Sequence, residues 1–278
     1  MSQWRVSWHH LMLGVPELWS KGITGKGVTI ALLDTGLAAP KGLDRADFEY
    51  LDSRGRPILS SDPDGHGTSA GSAIASYLGG ALGIAPEAKL VSMQVLGSAT
   101  AAADVEAALT YVLGRPDIDV VSCSFVMTKA TDAVRDAVRR LTAMGKVVIA
   151  AAGNEESAKE FPEQTENALT VSAIDGAMHP LQGARTGSWI DVSAPGFEIP
   201  VVLPGVARTG LFSLSSAAAA VTSGVAALVL STRPRGLSRS QAGSTLEHRF
   251  KSTAKPLAAE PSTVGHGLIN PAALIQTA

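Results

Sequence analysis

Val28-Thr-Ile-Ala-Leu-Leu33 runs straight into Asp34-Thr-Gly36, so six apolar or β-branched residues end on a carboxylate. A run of that length without polar alternation reads as a strand buried on both faces. Three more follow the same pattern: Lys89-Leu-Val-Ser-Met-Gln-Val95, Asp119-Val-Val-Ser-Cys-Ser-Phe125 and Lys146-Val-Val-Ile-Ala-Ala151. Between them lie stretches of helical period. Residues 102–113 carry Val105, Ala108, Leu109 and Val112 on one stripe, and residues 131–144 carry Val134, Val138 and Leu141, which predicts two amphipathic crossover helices. Strands alternating with such helices predict an α/β fold on a parallel sheet. Beyond Gly153 the expected strands shorten, to 168–174 and 189–194, before an alanine-rich helix over 216–231 and another over 238–250.

A length of 278 residues suits one large α/β domain. Apolar residues at 45% and charged residues at 17% exclude a disordered chain. The net charge of −2 gives no basic field for a nucleic acid or an anionic membrane, so no nucleic-acid partner is expected. One cysteine, Cys123, excludes an internal disulfide, and no Cys/His spacing of the zinc type occurs, which predicts a reducing compartment. The first residues are broken by Arg5, His9, His10, Pro16 and Glu17 and offer no signal-peptide core. The longest apolar runs, 147–152 and 225–230, fall far short of the roughly 18 residues a membrane span needs. The expectation is a cytoplasmic monomer without a membrane span.

In open parallel sheets, ligands bind beyond the carboxyl ends of the strands. Two polar residues stand there, Asp34 and Asn154, each ending an apolar run. Taken singly, either is as well read as a turn former or a helix cap. His66 lies in Asp62-Pro-Asp-Gly-His-Gly-Thr68, at the entry to a small-residue segment that should be a buried helix. The other histidines, His9, His10, His179, His248 and His266, have polar or terminal neighbours and are expected at the surface. Asp62, Asp64 and His66 lack the later ligands of a calcium loop and any zinc-spaced second histidine, so no metal is expected. Ser216 falls where a loop meets the alanine-rich helix. There it is either an N-cap or a nucleophile with the positive end of a helix dipole beside it. Gly67-Thr-Ser69-Ala-Gly71 fits a nucleophile elbow by letter, but Ser61-Asp-Pro-Asp-Gly65 before it cannot be the strand an elbow requires. Cys123, among apolar neighbours, reads as core.

Together these segments resemble the subtilisin-like (subtilase) serine proteases, from Gly22 to Ala273. Gly25-Lys-Gly-Val-Thr-Ile-Ala-Leu-Leu-Asp34-Thr-Gly is similar to the family's aspartate motif, and Asp64-Gly-His66-Gly-Thr to its histidine motif. Gly83-Ile-Ala-Pro-Glu-Ala-Lys-Leu90, Ala151-Ala-Gly-Asn154-Glu, Asp191-Val-Ser-Ala-Pro-Gly196 and Gly265-His-Gly-Leu-Ile-Asn270 resemble its later signatures in order. The resemblance implies a three-layer fold with a mostly parallel central sheet flanked by helices. It also implies one peptidase domain over 22–278, with 1–21 as an extension packed on it.

By the same resemblance, Ser216 attacks the peptide carbonyl, His66 carries the proton, Asp34 orients the imidazole, and Asn154 donates to the oxyanion. The substrate strand would lie along Gly97 and Ser98 on one side and Ser124, Phe125 and Val126 on the other, with Gly153 at the pocket wall. Glu160 would stand near the floor of the pocket for the residue before the cut and Glu155 at its rim, which implies a preference for Arg or Lys there. The nucleophile motif departs from the family's Gly-Thr-Ser-Met-Ala-x-Pro, reading Leu214-Ser215-Ser216-Ala217-Ala218-Ala219-Ala220. Alignment on Gly224 selects Ser216, with Ser215 as its alternative, and Leu214 replaces a glycine. No cofactor is implied: residues 76–82, short and without carboxylate or amide side chains, lack the family's calcium loop. The function expected is a serine endopeptidase of narrow specificity that processes a peptide or protein precursor. Two alternatives stand beside it: an impaired pseudoprotease that binds peptides, and a peptide ligase or macrocyclase sharing the acyl-enzyme.

Overall fold

In the computed structural model, residues 6–39, 42–97, 102–154, 160–204, 208–233, 243 and 245–276 are described. The elements run α1 (Trp8–Met12), α2 (Val15–Ser20), β1 (Thr29–Asp34), β2 (Glu49–Asp52), α3 (His66–Ala75), β3 (Tyr77–Leu78), β4 (Ala81–Leu82), β5 (Lys89–Gln94) and α4 (Ala102–Leu113). They continue with β6 (Val120–Cys123), α5 (Asp132–Ala143), β7 (Val147–Ala151), β8 (Leu169–Ile174), β9 (Val192–Pro195), β10 (Ile199–Val202), β11 (Thr209–Phe212), α6 (Leu214–Ser231) and α7 (Leu246–Ser252). Seven strands make one sheet in the order β2-β5-β1-β6-β7-β8-β9, each neighbouring pair parallel.

Burial on both faces explains the unbroken apolar runs. Alternate side chains of a strand point to opposite faces. Ile30 and Leu32 of β1 therefore join the core beneath α3 and α6, while Ala31 and Leu33 join the core beneath α4 and α5. The stripe expected on α4 is buried as Val105, Ala108, Leu109 and Val112. Helix α5 buries Val134, Ala137, Val138 and Leu141 and starts at Thr131, whose hydroxyl accepts the Val134 N–H at 3.2 Å. The three-layer α/β architecture is the one the resemblance implied.

Four departures from the sequence reading have physical causes. Strand β2 carries a polar, half-buried pattern because it lies at the sheet edge, so its run is too weak to announce itself. Helix α6 begins at Leu214 with Ser213 as its N-cap, so Ser216 is not the cap. Its 18 residues average a hydropathy of 1.7, enough to cross a membrane, although Thr222-Ser-Gly224 keeps every apolar run short. It is a core helix, with 89% of those residues buried, packed on α3 and on β6 to β9. Of the helix expected over 238–250, the last turns are present as α7, and residues 234–242 and 244 lie outside the described residues.

The fourth departure is a correction. His9 and His10 are not surface residues, being each only 1% exposed. His10 Nδ1 accepts the Ser7 N–H at 2.9 Å and its Nε2 lies 3.0 Å from the Leu82 carbonyl, while Trp19 Nε1 donates to the Ile84 carbonyl at 3.0 Å. The helical turns α1 and α2 are thereby tied to β4 and the segment after it. Burial, offset in part by the Leu82 hydrogen bond, lowers the His10 pKa to about 4, and burial with His10 beside it lowers that of His9 further. His179, His248 and His266 are exposed, as expected.

Candidate active site

The sheet changes its direction of strand addition at β1, which lies between β5 and β6. A crevice opens at such a point beyond the carboxyl ends of the strands. Asp34 ends β1 there, with Ser124 just past β6 and Asn154 just past β7. Asp34 is fully buried, and its Oδ1 accepts the Thr35 N–H at 2.8 Å and the His66 Nδ1–H at 2.7 Å. That contact fixes the His66 tautomer and leaves Nε2 as the basic nitrogen. Burial disfavours the charged ring, but the charge and hydrogen bond of Asp34, with Asp64 and Asp62 further off, outweigh it and set the His66 pKa above 6.5. Phe212 meets the ring edge-on, with centroids 5.2 Å apart.

His66 is the first residue of α3, and a clamp on Asp62 sets where that helix begins. Asp62 Oδ1 accepts the Thr35 hydroxyl at 2.8 Å and the Gly65 N–H at 2.9 Å; Oδ2 accepts the Thr68 N–H at 2.7 Å and the Thr68 hydroxyl at 2.6 Å. The Gly67 N–H in turn donates to Thr35 Oγ1 at 2.9 Å. One carboxylate thus joins the exit of β1 to the first turn of α3. Gly67 is required by this close approach, since a Cβ there would sit 2.0 Å from the Gly36 carbonyl oxygen. Asp62 therefore spends its oxygens on protein donors.

Ser216 and Ser124 hold each other. The Ser216 hydroxyl donates to the Ser124 carbonyl at 2.8 Å and the Ser124 hydroxyl donates to the Ser216 carbonyl at 3.0 Å. No hydrogen bond joins Ser216 to His66 in this arrangement. Ser215 faces elsewhere: its N–H and its hydroxyl both donate to Asn154 Oδ1, at 3.0 and 2.8 Å, and its oxygen accepts the Gly153 N–H at 3.1 Å. Ser215 is fully buried, whereas Ser216 is half-buried. A backbone N–H can only donate, so the Asn154 atom facing it is the carbonyl oxygen. The Asn154 Nδ2 group is then the end available to a substrate oxygen.

Of the other residues singled out from sequence, Ser124 and Phe125 are buried, Phe125 stacking on Phe161 at 5.7 Å. Gly97 lines a cavity of about 330 Å³ with Thr35, Pro63, Asp64, Gln94 and Leu96, beside Asp34. Ser98 and Glu155 lie outside the described residues. Glu160 turns its carboxylate to the Ala130 N–H at 2.9 Å and lies 3.6 Å from the Arg135 guanidinium. The buried charge against Gly153 is a cation that sequence reading missed. A Cβ on Gly153 would lie 2.8 Å from Arg185 Cδ and 3.0 Å from Val126 Cγ1. Arg185 pairs with Glu163 at 2.7 Å and stacks over Trp189. Nothing in its neighbours, Ala184 and Thr186, signals this. Cys123 is buried, and burial with the nearby Asp34 charge pushes its thiol pKa up, which rules it out as a nucleophile. Among the described residues no cluster of His, Cys, Asp or Glu could hold a metal.

A rim of this kind, with an imidazole held by a carboxylate and a serine in the first turn of a long helix, carries the parts of a serine hydrolase. The model of the subtilase family matches residues 25–267. Subtilisin BL of Lederbergia lenta is 30% identical over 275 residues, covering 95% of this chain and 97% of that protein. The major intracellular serine protease of Bacillus subtilis (strain 168) is 27% identical over 278 residues, covering 93% of this chain and 85% of that one. Among solved structures, the MycP3 protease from the type VII (ESX-3) secretion system superposes with a TM-score of 0.79 at 27% identity, covering 97% of this chain and 88% of its own. The chain belongs to the subtilase family and is a serine-type peptidase.

Proposed function

We propose that this peptidase is an endopeptidase working through an acyl-enzyme on Ser216, with His66 as general base, Asp34 as its orienting partner and Asn154 as an oxyanion donor. The observation that carries the reading is the 2.7 Å contact between Asp34 and His66 Nδ1, at the same rim as a serine in the first turn of α6. On substrate binding the Ser216 hydroxyl leaves the Ser124 carbonyl and donates to His66 Nε2. Attack on the substrate carbonyl forms the Oγ–C bond, the proton passes to Nε2 and then to the leaving amine, and the amine departs. The oxyanion meets Asn154 Nδ2 and the Ser216 N–H. Labelling with a fluorophosphonate and locating the adduct by mass spectrometry tests this. An adduct on Ser216 supports it, and no adduct favours a peptide-binding pseudoprotease.

The substrate side of the proposal is narrow processing of a peptide or protein precursor, and for its placing in the cytoplasm the likeness to an intracellular serine protease is the support. General degradation of casein would remove it. For the residue before the cut we propose Arg or Lys, read by the carboxylate of Glu160. A specific observation favours a second reading. Arg185, buried against Gly153, has a guanidinium nitrogen Nη1 without a hydrogen-bond partner, which suits an acidic or amide side chain instead. A peptide panel varied only at that residue separates the two, since Arg or Lys on top keeps Glu160 as the reader and Glu or Gln on top moves the role to Arg185.

A further inference from the structure

Residues 7–23 carry the two short helices α1 and α2, and side chains hold them to the domain. Among the described residues, the backbone hydrogen bonds of this stretch stay within it, from the His10 N–H on the Ser7 carbonyl to the Ile23 N–H on that of Leu18. Two side-chain contacts cross outward: His10 Nε2 to the Leu82 carbonyl and Trp19 Nε1 to the Ile84 carbonyl, each at 3.0 Å. Those carbonyls belong to a stretch that backs both helices of the site. The N–H groups of Gly83, Ile84 and Ala85 donate to the Ser76, Ala73 and Ile74 carbonyls at 2.7, 3.0 and 2.8 Å. They take up the carbonyl end of α3, whose first residue is His66. Ile84 is fully buried, and a Cβ on Gly224 would lie 2.6 Å from its Cβ, so the same residue lies against α6, which carries Ser216.

The neighbours of His10 accept only its neutral form. Its Nδ1 accepts the Ser7 N–H at 2.9 Å while Nε2 faces Leu82, so a proton added on Nδ1 would set two N–H groups against each other. The His9 ring lies 3.8 Å from that of His10 between centroids, with neither nitrogen hydrogen-bonded. A proton taken up there finds no acceptor. The charged groups nearby are engaged elsewhere. Glu17 of α2 pairs with Lys21, both largely in solvent. The turn after β8 meets Trp8 at Gly176 and carries Asp175 and His179, which face each other at 3.7 Å. Tyr77 of β3 donates to Asp44, and β4 with residues 83–85 has no ionisable side chain. The one charge acting on His9 is that of His10.

We infer that His9 and His10 form an acid-released clasp: in mild acid α1 and α2 come away from residues 82–84 while the sheet stays folded, and α3 and α6 lose their common backing. Release is a property of the fold and is read without substrate. Its effect on hydrolysis rests on the acyl-enzyme reading above.

Hydrogen exchange followed by mass spectrometry from about pH 7 to about 4.5, corrected for the intrinsic pH dependence of exchange, reads the release. With two protons refused by the docked state, protection of residues 8–20 is expected to fall about 10²-fold for each pH unit below about 6, while β1, β5 and β6 keep theirs. In the double variant His9→Leu with His10→Gln protection stays level, because the amide keeps an acceptor for Ser7 and a donor for Leu82 without titrating. His9→Leu alone leaves both His10 hydrogen bonds and reduces the slope to about tenfold per unit. Hydrolysis of a peptide ester is expected to fall with acid more steeply in the wild type than the single proton on His66 requires, and with a one-proton slope in the double variant. Level protection in the wild type, loss from the segment and the sheet together, or an unchanged slope in both variants overturns the clasp. A one-proton slope of hydrolysis in the wild type overturns its link to the site. Absence of fluorophosphonate labelling removes the acyl-enzyme reading alone, because the exchange result stands without it.

Discussion

Asp62 holds the site together without touching substrate, and removing its carboxylate is the sharpest test of how the site is built. In Asp62→Ala four donors lose their acceptor: the N–H groups of Gly65 and Thr68 and the hydroxyls of Thr35 and Thr68. The hydroxyls can turn to other acceptors. The two N–H groups cannot, and at about 1–3 kcal/mol for each buried donor left unmade the loss is about 2–6 kcal/mol, centred near ~4 kcal/mol. Asp62→Asn keeps one oxygen for Thr35 and Gly65 but sets an NH₂ group against the Thr68 N–H, so about half of that loss, ~2 kcal/mol, is expected.

The clamp also fixes where α3 starts, and His66 is its first residue. A displacement of the general base on the order of 1 Å lowers kcat/KM by about 10²-fold. Urea unfolding gives the stability, with a midpoint expected to fall by roughly 2 M in the alanine variant for a slope of about 2 kcal/mol/M. Hydrolysis of a peptide ester gives kcat/KM. If Asp62→Ala unfolds within about 1 kcal/mol of the wild type and keeps kcat/KM within about threefold, the clamp is a surface ornament and the reasoning fails.

Asn154→Ala should lower kcat by about 10²–10³-fold with little change in KM, a range established for this donor within the subtilisin family itself rather than derived from this chain; a KM effect alone would refute the oxyanion role. Because His66 must be neutral to act and its pKa is raised, kcat/KM should climb with pH through a value above 6.5, and in Asp34→Asn the remaining pH step should move down while the rate falls. The same raised pKa favours folding below the unfolded value of about 6.5, and that contribution is lost as pH rises through the folded pKa. His9 and His10 have the opposite sign: buried neutral, they leave stability intact above about pH 6.5, and below it the unfolded chain takes up protons that the folded chain refuses. Between about pH 6 and the His10 value of about 4, stability should fall by roughly 1.4 kcal/mol per pH unit per histidine, and urea midpoints that stay level across that window would show the pair to be solvated.

The sheet was legible where burial on two faces forces an apolar run, as in β1, β5, β6 and β7, and illegible at the edge strand β2, where half-burial permits Glu49 and Asp52. Asp34 and His66 could be located because each stands at the end or start of such an element, but a turn or cap reading fitted Asp34 equally well, and only the ordered motifs that resemble the subtilases gave the two residues roles. The clamp on Asp62 could not, because its donors come from the residue just past β1, from the turn after Asp62 and from α3, and only the folded chain gathers them. Two imidazoles in the core were hidden for a different reason. Helices of five and six residues are too short to show a period; His10, with a backbone carbonyl on one nitrogen and a backbone N–H on the other, packs like an apolar residue, whereas His9 is buried with neither ring nitrogen hydrogen-bonded. Leu214 is the instructive case: its letter marks a departure from a glycine motif, but only the φ of +74° separates a harmless replacement from a strained one. The strain sits two residues before Ser216 on a side chain that the core does not use, and no letter of the sequence carries it, because a φ belongs to the folded backbone and not to the residue type.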